Sequence, residues 1–502
     1  MNADYLRLRE LLAEVQDLGA AQALLEWDQR TMMPARGSAA RAEALATIVR
    51  LGFERFASDE IGALLDALGP WAADLPYESD EASLVRVTRR EYDKARRVPA
   101  TLKAEIARTA AIAGDAWIEA RKASDFPAFR PHLERMVALK REYAACLAAP
   151  GTDPYDALLD DYEPGLTAAA ATRMFDALRS GLVPLLGRIR ERAGAVDERV
   201  LAGRFPADRQ RAFCLSVLRA IGFDDDGFRL DVSAHPFETR MAAGDVRMTT
   251  RYDEDRLADA LFGCIHELGH GLYESGVDPA LARTPLDRGT SMGIHESQSR
   301  LWENVVGRGL PFWRFFYPRL QEAFPEPFAC LPLETFWRAI NRVEPSLIRV
   351  EADEVTYNLH VLLRFELERG LIGGDLVPAD LPAAWNARMR EYLGIAVPDD
   401  RRGVLQDIHW SQGDFGYFPT YTLGNVIASQ LWERATAELP GLEAAIEAGD
   451  FAPLRRWLHA AIHHHGAKFT GEELLARVTG RGADPAPYLA YLEGKYGAVY
   501  GG

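Results

Sequence analysis

The chain has 502 residues, 48% of them hydrophobic, and a formal net charge of −16 at pH 7. That composition allows a large packed core, and the acidic balance disfavours a nucleic-acid partner because it repels phosphate. Four widely spaced cysteines form no CxxC pair, which indicates a reducing compartment and excludes a disulfide framework or a cysteine-based zinc site. The N-terminus has no signal-peptide pattern and no run of ~18 apolar residues occurs, so we expect a cytoplasmic protein without a membrane span.

Helical periodicity dominates the chain. Thr167 can cap the helix that follows it, in which Met174, Leu178 and Leu182 recur at i, i+4 spacing. Similar patterns predict further helices at residues 3–24, 38–55, 81–95, 99–122, 127–148 and 207–221. No repeat, long linker or composition shift marks a boundary, so we expect residues 1–502 to form a single domain.

Strand signals are few. Apolar and polar residues alternate with period two in Phe228–Val232 and in Asp245–Thr250, and Gly244, a turn signal, lies between these segments. Residues 347–350 are the candidate for a third strand. The expected fold is therefore mainly α-helical, with a small β-sheet beside the middle of the chain.

The most informative pattern is the helical segment that reads LADALFGCIHELGHGLYE. Its apolar residues form one arc of a helical wheel, and His266 and His270 fall together on the opposite side. Two imidazoles at i and i+4 lie one turn apart and can bind a single ion, and Glu267 beside them can deprotonate water on that ion. Gly269 and Gly271 leave space for the close approach of another backbone.

An HExxH string also arises by chance, and the two histidines are then ordinary solvated side chains of a surface helix. Metzincins extend the string to HExxHxxGxxH, but Tyr273 and Gly276 stand where that class has its glycine and third histidine. That class is excluded. Because a catalytic zinc site has three protein ligands and one open position, a second helix must supply the third ligand.

The candidate for this second helix is residues 291–306, which read SMGIHESQSRLWENVV. Glu296, Arg300 and Glu303 share its polar face, whereas His295 lies near the apolar arc. Glu296 is therefore preferred to His295 as the third ligand, with Glu303 in reserve. The alternative for Glu296 is a solvated carboxylate that pairs with Arg300.

Further strings, together with HELGH, resemble those of the carboxypeptidase Taq-like metallocarboxypeptidases. In chain order they are Trp27-Asp28 with Thr31 and Pro34, HPF at 235–237, DVRMT at 245–249, HESQ at 295–298, IRVEAD at 348–353 and GVLQDIHW at 403–410. The resemblance continues to the C-terminal YLEGKYG. It implies a largely helical fold with a deep active-site groove. It also implies an enzyme, usually a homodimer, that releases single residues from the C-termini of peptides.

The resemblance also implies the roles of the residues on the two helices. His266, His270 and Glu296 would hold one divalent metal ion, Zn²⁺ or alternatively Co²⁺, and Glu267 would be the general base. Bound zinc lowers the pKa of its water to ~7, so an attacking hydroxide is available at neutral pH. Glu267 would take the water proton and pass it to the leaving amine.

A carboxypeptidase also needs a fixed cation for the free carboxylate of its substrate. Arg349 in the IRVEAD string is the first choice, because a guanidinium can hold a carboxylate with two hydrogen bonds. Arg247 in the DVRMT string competes with it, although Asp245 can hold Arg247 in the sheet, and either arginine can form a structural ion pair. His235 is expected to line the groove or to cap a turn. The candidate oxyanion donors are Tyr421, His409 and Tyr417.

Two other groups and one alternative function stay open. Asp353 is a candidate acceptor for a ligand histidine. The run His463-His464-His465 cannot face one way on a helix, so these side chains are expected at the surface or between subunits. An endo-acting metallo-oligopeptidase would have the same HExxH centre, and only a carboxylate-binding arginine such as Arg349 argues against it. A non-catalytic peptide-binding protein would require the loss of Glu267 or of a ligand.

Overall fold

The structure, a computed structural model, describes residues 2–501, which form two compact units. The first unit comprises the residues up to Ala95, Glu198–Ile340 and Ala428–Gly482. The second comprises Arg96–Asp197, Asn341–Ile427 and the residues from Ala483 onward. Each unit therefore combines three separate segments of the chain. The single domain over residues 1–502 stays a prediction.

The chain is mainly helical, as the sequence predicts. The first eleven helices are α1 Ala3–Thr31, α2 Ser38–Phe56, α3 Asp59–Ala73, α4 Asp80–Arg97, α5 Ala100–Ala123, α6 Phe126–Leu147, α7 Asp156–Leu159, α8 Ala168–Glu191, α9 Ala207–Ile221, α10 Leu257–Ser275 and α11 Met292–Arg300. The others are α12 Leu310–Ala323, α13 Pro325–Phe328, α14 Leu333–Ile340, α15 Tyr357–Gly373, α16 Leu381–Arg388, α17 His409–Gln412, α18 Phe418–Glu438, α19 Leu442–Glu447, α20 Ala452–Ala461, α21 Gly471–Thr479 and α22 Ala486–Tyr500. Within residues 2–501, no helix has both the length and the apolar run that a bilayer crossing requires.

Every helix predicted from periodicity is present. Thr167 caps α8 as expected, because its hydroxyl accepts a hydrogen bond from the backbone N–H of Ala170. Helix α3 was missed, although Ser58 caps it and its buried Ile61, Leu65 and Leu68 recur at helical spacing.

Helices α1, α3 and α4 form a hydrophobic core in the first unit. The side chains of this core that are at most 4% exposed include Leu8, Leu11 and Leu12 of α1, Ile61, Leu65 and Leu68 of α3, and Leu84 and Val85 of α4. Val277, Leu281 and Leu286, which follow α10 in the chain, join the same cluster. Because each fully buried side chain of this kind contributes about 1.5–3 kcal/mol, the cluster anchors the chain just beyond the C-terminus of α10.

A three-stranded sheet lies in the first unit. Its strands are β1 Phe228–Val232, β2 Glu238–Ala242 and β3 Asp245–Thr250, in the order β1-β3-β2. Strand β3 is parallel to β1 and antiparallel to β2. The two alternating segments are thus confirmed as strands, while the largely polar β2 was missed.

The strand predicted at 347–350 is wrong. The backbone there runs into a 3₁₀ turn, Arg349–Glu351, and the N–H of Arg349 donates to the side chain of Gln406 at 2.9 Å. A hydrogen bond to a side chain replaces the ladder that a strand would need. The short apolar run was not sufficient to distinguish the two.

The two glycines of the HELGHG segment permit close packing around α10, as predicted. A Cβ on Gly269 would lie 2.6 Å from the Cα of Ser299, so the backbone of α11 crosses α10 here. A Cβ on Gly271 would lie 2.9 Å from the ring of Phe228 and 3.1 Å from Val246, so the sheet packs one turn away. Helix α10 is therefore held between α11 and the sheet.

Candidate metal centre

Helix α10 buries its apolar arc and presents two imidazoles on the other side. Leu261, Ile265 and Leu268 are at most 2% exposed, whereas the side chains of His266 and His270 keep 19% and 14% of their exposure. The predicted division of the helix into an apolar face and a histidine face is therefore present.

Helix α11 places a carboxylate against this histidine pair. The Nε2 atoms of His266 and His270 are 3.2 Å apart, and Oε2 of Glu296 lies 3.7 Å from the first and 3.5 Å from the second. Within residues 2–501, no other group of three His, Cys, Asp or Glu side chains brings its ligand atoms so close together.

The spacing of these three atoms suits a metal ion. Ligand atoms about 2.0–2.2 Å from a tetrahedral zinc lie about 3.3–3.6 Å apart, and the separations of 3.2, 3.5 and 3.7 Å are close to that range. Two imidazole nitrogens and one carboxylate oxygen are also donors that zinc accepts. The residues present therefore fit the group.

Glu296 contacts both Arg300 and the histidine pair, so the two alternatives that the sequence left open are compatible with each other. Its Oε1 accepts a hydrogen bond from Nε of Arg300 at 2.7 Å, and its Oε2 faces the histidines. Against the effect of burial, Arg300 and then His266 hold the pKa of Glu296 well below its usual value. The carboxylate is thus ionised, oriented and available as a ligand.

Glu303 contacts one of the two candidate ligand histidines. It lies in a π-helical turn, Leu301–Val306, that follows α11, and its Oε2 is 2.9 Å from Nδ1 of His266. Arg300 donates to the same oxygen at 3.2 Å. Such a carboxylate fixes the ring orientation of His266 and leaves Nε2 free for the metal. π-Helical turns are frequent at functional sites.

Glu267 is buried beside the candidate ligands. Burial raises the pKa of this carboxyl to about 7, with His266 acting in the opposite direction and Glu296 adding to the increase. A carboxyl group with this pKa can both accept and release a proton at neutral pH, which is what a general base that later serves as an acid requires.

His270 meets another imidazole at its Nδ1, whereas His266 meets a carboxylate there. Its Nδ1 lies 2.6 Å from Nδ1 of His295, and Nε2 of His295 lies 2.9 Å from Oε1 of Glu274. Sequence reasoning set His295 aside because it falls near the apolar arc, and it missed Glu274. The available signal was that Glu274 follows His270 by four residues and so shares its face of α10.

In the second unit, Arg349 is buried in an ion-pair cluster. Its Nε and Nη2 both donate to Oδ1 of Asp407, at 3.1 and 2.9 Å, and its Nη1 donates to the hydroxyl of Tyr357 at 2.9 Å. The other oxygen of Asp407 accepts from Nε of Arg364 at 2.7 Å. We refer to Arg349, Arg364 and Asp407 as the guanidinium cluster.

The guanidinium cluster carries a net positive charge. Against the effect of burial, Arg349 and then Arg364 hold the pKa of Asp407 far below its usual value, so one carboxylate faces two cations. Burial lowers the pKa of the nearby His409 to about 4, and burial followed by Arg364 lowers that of His360 well below its usual value. Both histidines are therefore neutral at pH 7 and do not change this balance.

The three predicted oxyanion donors lie together in the second unit. The Nε2 of His409 is 3.4 Å from the hydroxyl of Tyr421, and the ring centroids of Tyr417 and Tyr421 are 5.0 Å apart. The guanidinium carbon of Arg349 is 5.0 Å from the centroid of the Tyr421 ring. Four of the predicted substrate residues thus form one neighbourhood.

The remaining predicted arginine has structural partners. Arg247 forms two hydrogen bonds with Asp245, at 2.9 and 2.8 Å, and its guanidinium carbon lies 4.6 Å from the ring centroid of Trp27. Its neighbour Val246 faces α10, so Arg247 lies on the opposite face of the sheet. The geometry favours the structural ion pair, and contact with substrate stays a prediction.

His235 lies in the turn that precedes β2. Its side chain is exposed, and its carbonyl accepts a hydrogen bond from the hydroxyl of Ser233 at 2.5 Å. The next residue, Pro236, passes within 3.9 Å of where a Cβ on Gly263 would stand. Both the turn and the groove alternatives for His235 stay open.

Two expectations are corrected. The carboxylate of Asp353 accepts hydrogen bonds from the N–H of Val355 and from the N–H and hydroxyl of Thr356, so it holds the turn that precedes α15 and does not support a candidate ligand histidine. His463 is only 2% exposed, with its Nε2 2.9 Å from Oε1 of Gln298. The histidine run ends α20 in a 3₁₀ turn, which directs its first ring inward instead of to the surface.

Comparison with known proteins supplies the family. The model of the carboxypeptidase Taq (M32) metallopeptidases matches residues 7–496. The chain belongs to this family. It is 46% identical to thermostable carboxypeptidase 1 of Thermus thermophilus over 99% of both chains, and 39% identical to carboxypeptidase 1 of Bacillus subtilis over 98% of this chain and 97% of that one. The crystal structure of an M32 carboxypeptidase from Deinococcus radiodurans R1 matches with a TM-score of 0.96 and 42% identity, covering all of both chains.

Membership of the carboxypeptidase Taq family confirms the predicted enzyme class. The chain is a metallocarboxypeptidase, and the carboxypeptidase interpretation is supported over the endo-acting alternative. The largely helical fold with one small sheet is likewise confirmed. The family is one of metallopeptidases, so the enzyme uses a divalent metal.

Proposed function

We propose that this enzyme releases single residues from free peptide C-termini at a zinc site formed by His266, His270 and Glu296. The observation that carries the proposal is the approach of the three ligand atoms to within 3.7 Å of one another. A zinc ion held there polarises the scissile carbonyl and acidifies an attacking water. Cobalt accepts the same donors and is the alternative metal.

Glu267 is proposed as the general base. Its pKa of about 7, raised mainly by burial, supports a carboxylate that removes the proton of the attacking water and donates it to the leaving amine. The i, i+1 relation to His266 holds the carboxyl group next to the ligand set without making it a ligand.

Arg349 is proposed to bind the α-carboxylate of the substrate. The guanidinium cluster has two cations and one carboxylate, so an anion that enters it restores charge balance. Burying a substrate carboxylate without such a cation would be costly. The need to neutralise this buried charge supports an enzyme that requires a free C-terminus.

Four other side chains complete the proposed substrate contacts. His409, Tyr421 and Tyr417 are proposed as hydrogen-bond donors to the oxyanion or to the substrate backbone, since they lie in the neighbourhood of Arg349. His235 is proposed to contact the peptide from the turn before β2, where its side chain is exposed.

The polarity of cleavage and the metal can be tested together. A peptide and its C-terminally amidated twin are incubated with the enzyme, the products are identified by mass spectrometry, and bound metal is measured in the same sample. We expect loss of single C-terminal residues from the free peptide, little cleavage of the amide and about one zinc per chain. Internal fragments from both peptides would contradict the carboxypeptidase mechanism, and cobalt in place of zinc would change only the metal.

A homodimer is proposed from the surface of α2. This helix contacts α1, its Leu45, Ile48 and Phe56 are partly buried, and none of its residues is fully buried in the structure of residues 2–501. A second apolar strip includes Val49, 48% exposed, and Phe53, 38% exposed. An apolar strip of this kind on a long helix fits a contact with another copy.

Analytical ultracentrifugation tests the dimer. Phe53→Glu should convert the dimer to a monomer, because a charge on the strip cannot be buried. The control is Val377→Glu, a change at a residue that is 53% exposed in the second unit, and it should leave the dimer intact. A monomeric wild type, or a dimer that survives Phe53→Glu, would contradict the proposed interface.

The domain organisation and the location also belong to the proposal. The family match over residues 7–496 supports one catalytic domain, and a single calorimetric unfolding transition is expected. A cytoplasmic location is supported by four free cysteines, of which Cys214 and Cys264 are buried, and cell fractionation tests it.

A further inference from the structure

The two ligand histidines are supported in different ways. Nδ1 of His266 meets the carboxylate of Glu303 directly, at 2.9 Å. Nδ1 of His270 meets a second imidazole, His295, at 2.6 Å, and only that imidazole reaches a carboxylate, Glu274, at 2.9 Å. His270 is therefore linked to the carboxylate of Glu274 through the ring of His295.

With Glu274 ionised and His295 neutral, this arrangement determines where the protons lie. An ionised carboxylate only accepts hydrogen bonds, so Nε2 of His295 must carry the proton that it shares with Glu274. In a neutral imidazole the other nitrogen is then bare, and Nδ1 of His295 can only accept. The proton between the two rings must therefore sit on Nδ1 of His270, which leaves the lone pair of its Nε2 for a metal.

We propose that His295 and Glu274 are positioning residues that select the metal-binding tautomer of His270. The inference deepens the proposed function, because it rests on the assignment of His270 as a ligand. Neither residue touches the metal or the substrate, and each acts through the next group in the series. Without them, His270 could place its proton on Nε2 and block coordination.

The surroundings of Glu274 hold it in place for this role. The N–H of Gly289 donates to Oε1 of Glu274 at 2.9 Å, and Nη1 of Arg240 on β2 lies 3.8 Å from its Oε2. Arg240 itself pairs with Asp287 at 2.6 Å. Glu274 is 8% exposed, so this carboxylate is buried, hydrogen-bonded and next to a cation, as an ionised acceptor must be.

Close packing leaves His295 one position. A Cβ at residue 289 would stand 2.8 Å from Cδ2 of His295, 2.8 Å from the ring of Tyr273 and 3.1 Å from Oε1 of Glu274. Glycine at this position therefore permits the loop to close over the histidine, and the ring stacks on His270 with centroids 4.5 Å apart. This packing explains why His295 can lie near the apolar arc of α11 and still reach the metal ligand.

Two substitutions distinguish the contact between His295 and His270 from the contact between His295 and Glu274. The side-chain oxygen of asparagine can occupy the place of Nδ1, so His295→Asn keeps an acceptor for His270 and loses the link to Glu274. The amide of glutamine reaches the place of Nε2, so His295→Gln keeps the link to Glu274 and loses the acceptor for His270. His459→Gln, at an exposed histidine of the first unit, is the matched control.

The readout is metal affinity of the full-length protein, measured by chelator competition with Zn²⁺ and by the visible spectrum of bound Co²⁺. His295→Gln should weaken Zn²⁺ binding by about 10–100-fold, the usual effect of losing a partner of a ligand histidine, and His295→Asn by less than tenfold. The Co²⁺ spectrum should change in His295→Gln, and the control should match the wild type.

Equal losses in the two variants, the reverse order, or wild-type affinity in both would overturn the proposal, because packing alone would then account for His295. Thermal melting of the metal-free variants shows whether they fold, and if His295→Gln does not, Glu274→Gln tests the same series with an expected loss of affinity. His270→Ala separates the two levels of the proposal. If His270→Ala keeps its metal, the ligand assignment itself is wrong, whereas a loss in His270→Ala without one in His295→Gln overturns only this inference.

Discussion

The metal centre of the first unit and the guanidinium cluster of the second are assembled in opposite ways. The proposed metal ligands come from two helices close in sequence, and their spacing alone places them on one face of each helix. In the guanidinium cluster, Asp407 is 58 residues from Arg349 and 43 residues from Arg364. Helical periodicity can therefore reveal a candidate ligand pair, whereas the partners of a buried arginine depend on tertiary folding.

The two regions also differ in the sign of their charge. Around the histidines, Glu296 and Glu303 create a negative site that raises the pKa of His266 despite its burial and that suits a cation. The guanidinium cluster has one carboxylate for two guanidinium groups and suits an anion. In the proposed function the first region would bind the metal cation and the second would bind the substrate carboxylate. The following experiments test this division.

The largest effect is expected from changes to the metal helix. His266→Ala should lose bound metal and all measurable turnover, because two ligand atoms do not hold the ion. Glu267→Gln should keep the metal and lower kcat by about 10²–10⁴-fold, since proton transfer is lost. Elemental analysis and steady-state kinetics measure the two effects. A Glu267→Gln protein without metal, or with wild-type rates, would show that the roles are assigned wrongly.

A smaller difference separates the two carboxylates that meet the histidines. Glu303→Ala should weaken zinc binding by about 10–100-fold, because it removes a partner of His266. Glu296→Ala removes a ligand and should weaken binding more than that. Competition with a chelator ranks the two variants, and a greater loss in Glu303→Ala would make Glu303 the ligand.

In the guanidinium cluster, Asp407→Asn should destabilise the protein by about 3–5 kcal/mol, because Arg349 and Arg364 would remain buried without their carboxylate. The pKa of Asp407 is depressed in the folded state, so its contribution is fully present above the unfolded pKa of about 3.9 and falls at lower pH. Urea unfolding at several pH values should give a constant difference between wild type and variant at pH 5–8 that shrinks below pH 4. A difference that grows on acidification would contradict the assignment.

The smallest effect is expected at the sheet arginine. Arg247→Ala loses the stacking on Trp27 and an ion pair with a partly exposed Asp245, which together contribute about 1 kcal/mol. Thermal unfolding should shift slightly, while kcat/KM stays at the wild-type value. A large rise in KM with unchanged stability would instead place Arg247 at the substrate.

The extent of sequence-based prediction follows from this contrast. Periodicity predicted most of the long helices, although not α3, and together with the HExxH spacing it singled out His266, His270 and Glu296 as candidate ligands, because all of these are local patterns. His295 was missed because a helical wheel assigns it to the apolar arc, and only Gly289 and Glu274 reveal how it turns toward His270. The strand predicted at 347–350 failed because Gln406, far away in sequence, captures the backbone of Arg349. Long-range partners of this kind leave no spacing in the sequence.

The most direct test of the account is a cycle between the enzyme and its substrate. Arg349→Ala and the wild type are each assayed on a peptide with a free C-terminus and on its amidated twin, with bound metal measured in every sample. Removing one side of a buried charge pair costs ~3–5 kcal/mol, or about 10²–10⁴-fold in kcat/KM. We expect that loss for Arg349→Ala on the free peptide, a similar loss for the wild type on the amide, little further loss for the combination, and full metal content throughout. Independent, additive losses, or equal cleavage of both peptides by the wild type, would contradict Arg349 as the carboxylate-binding residue.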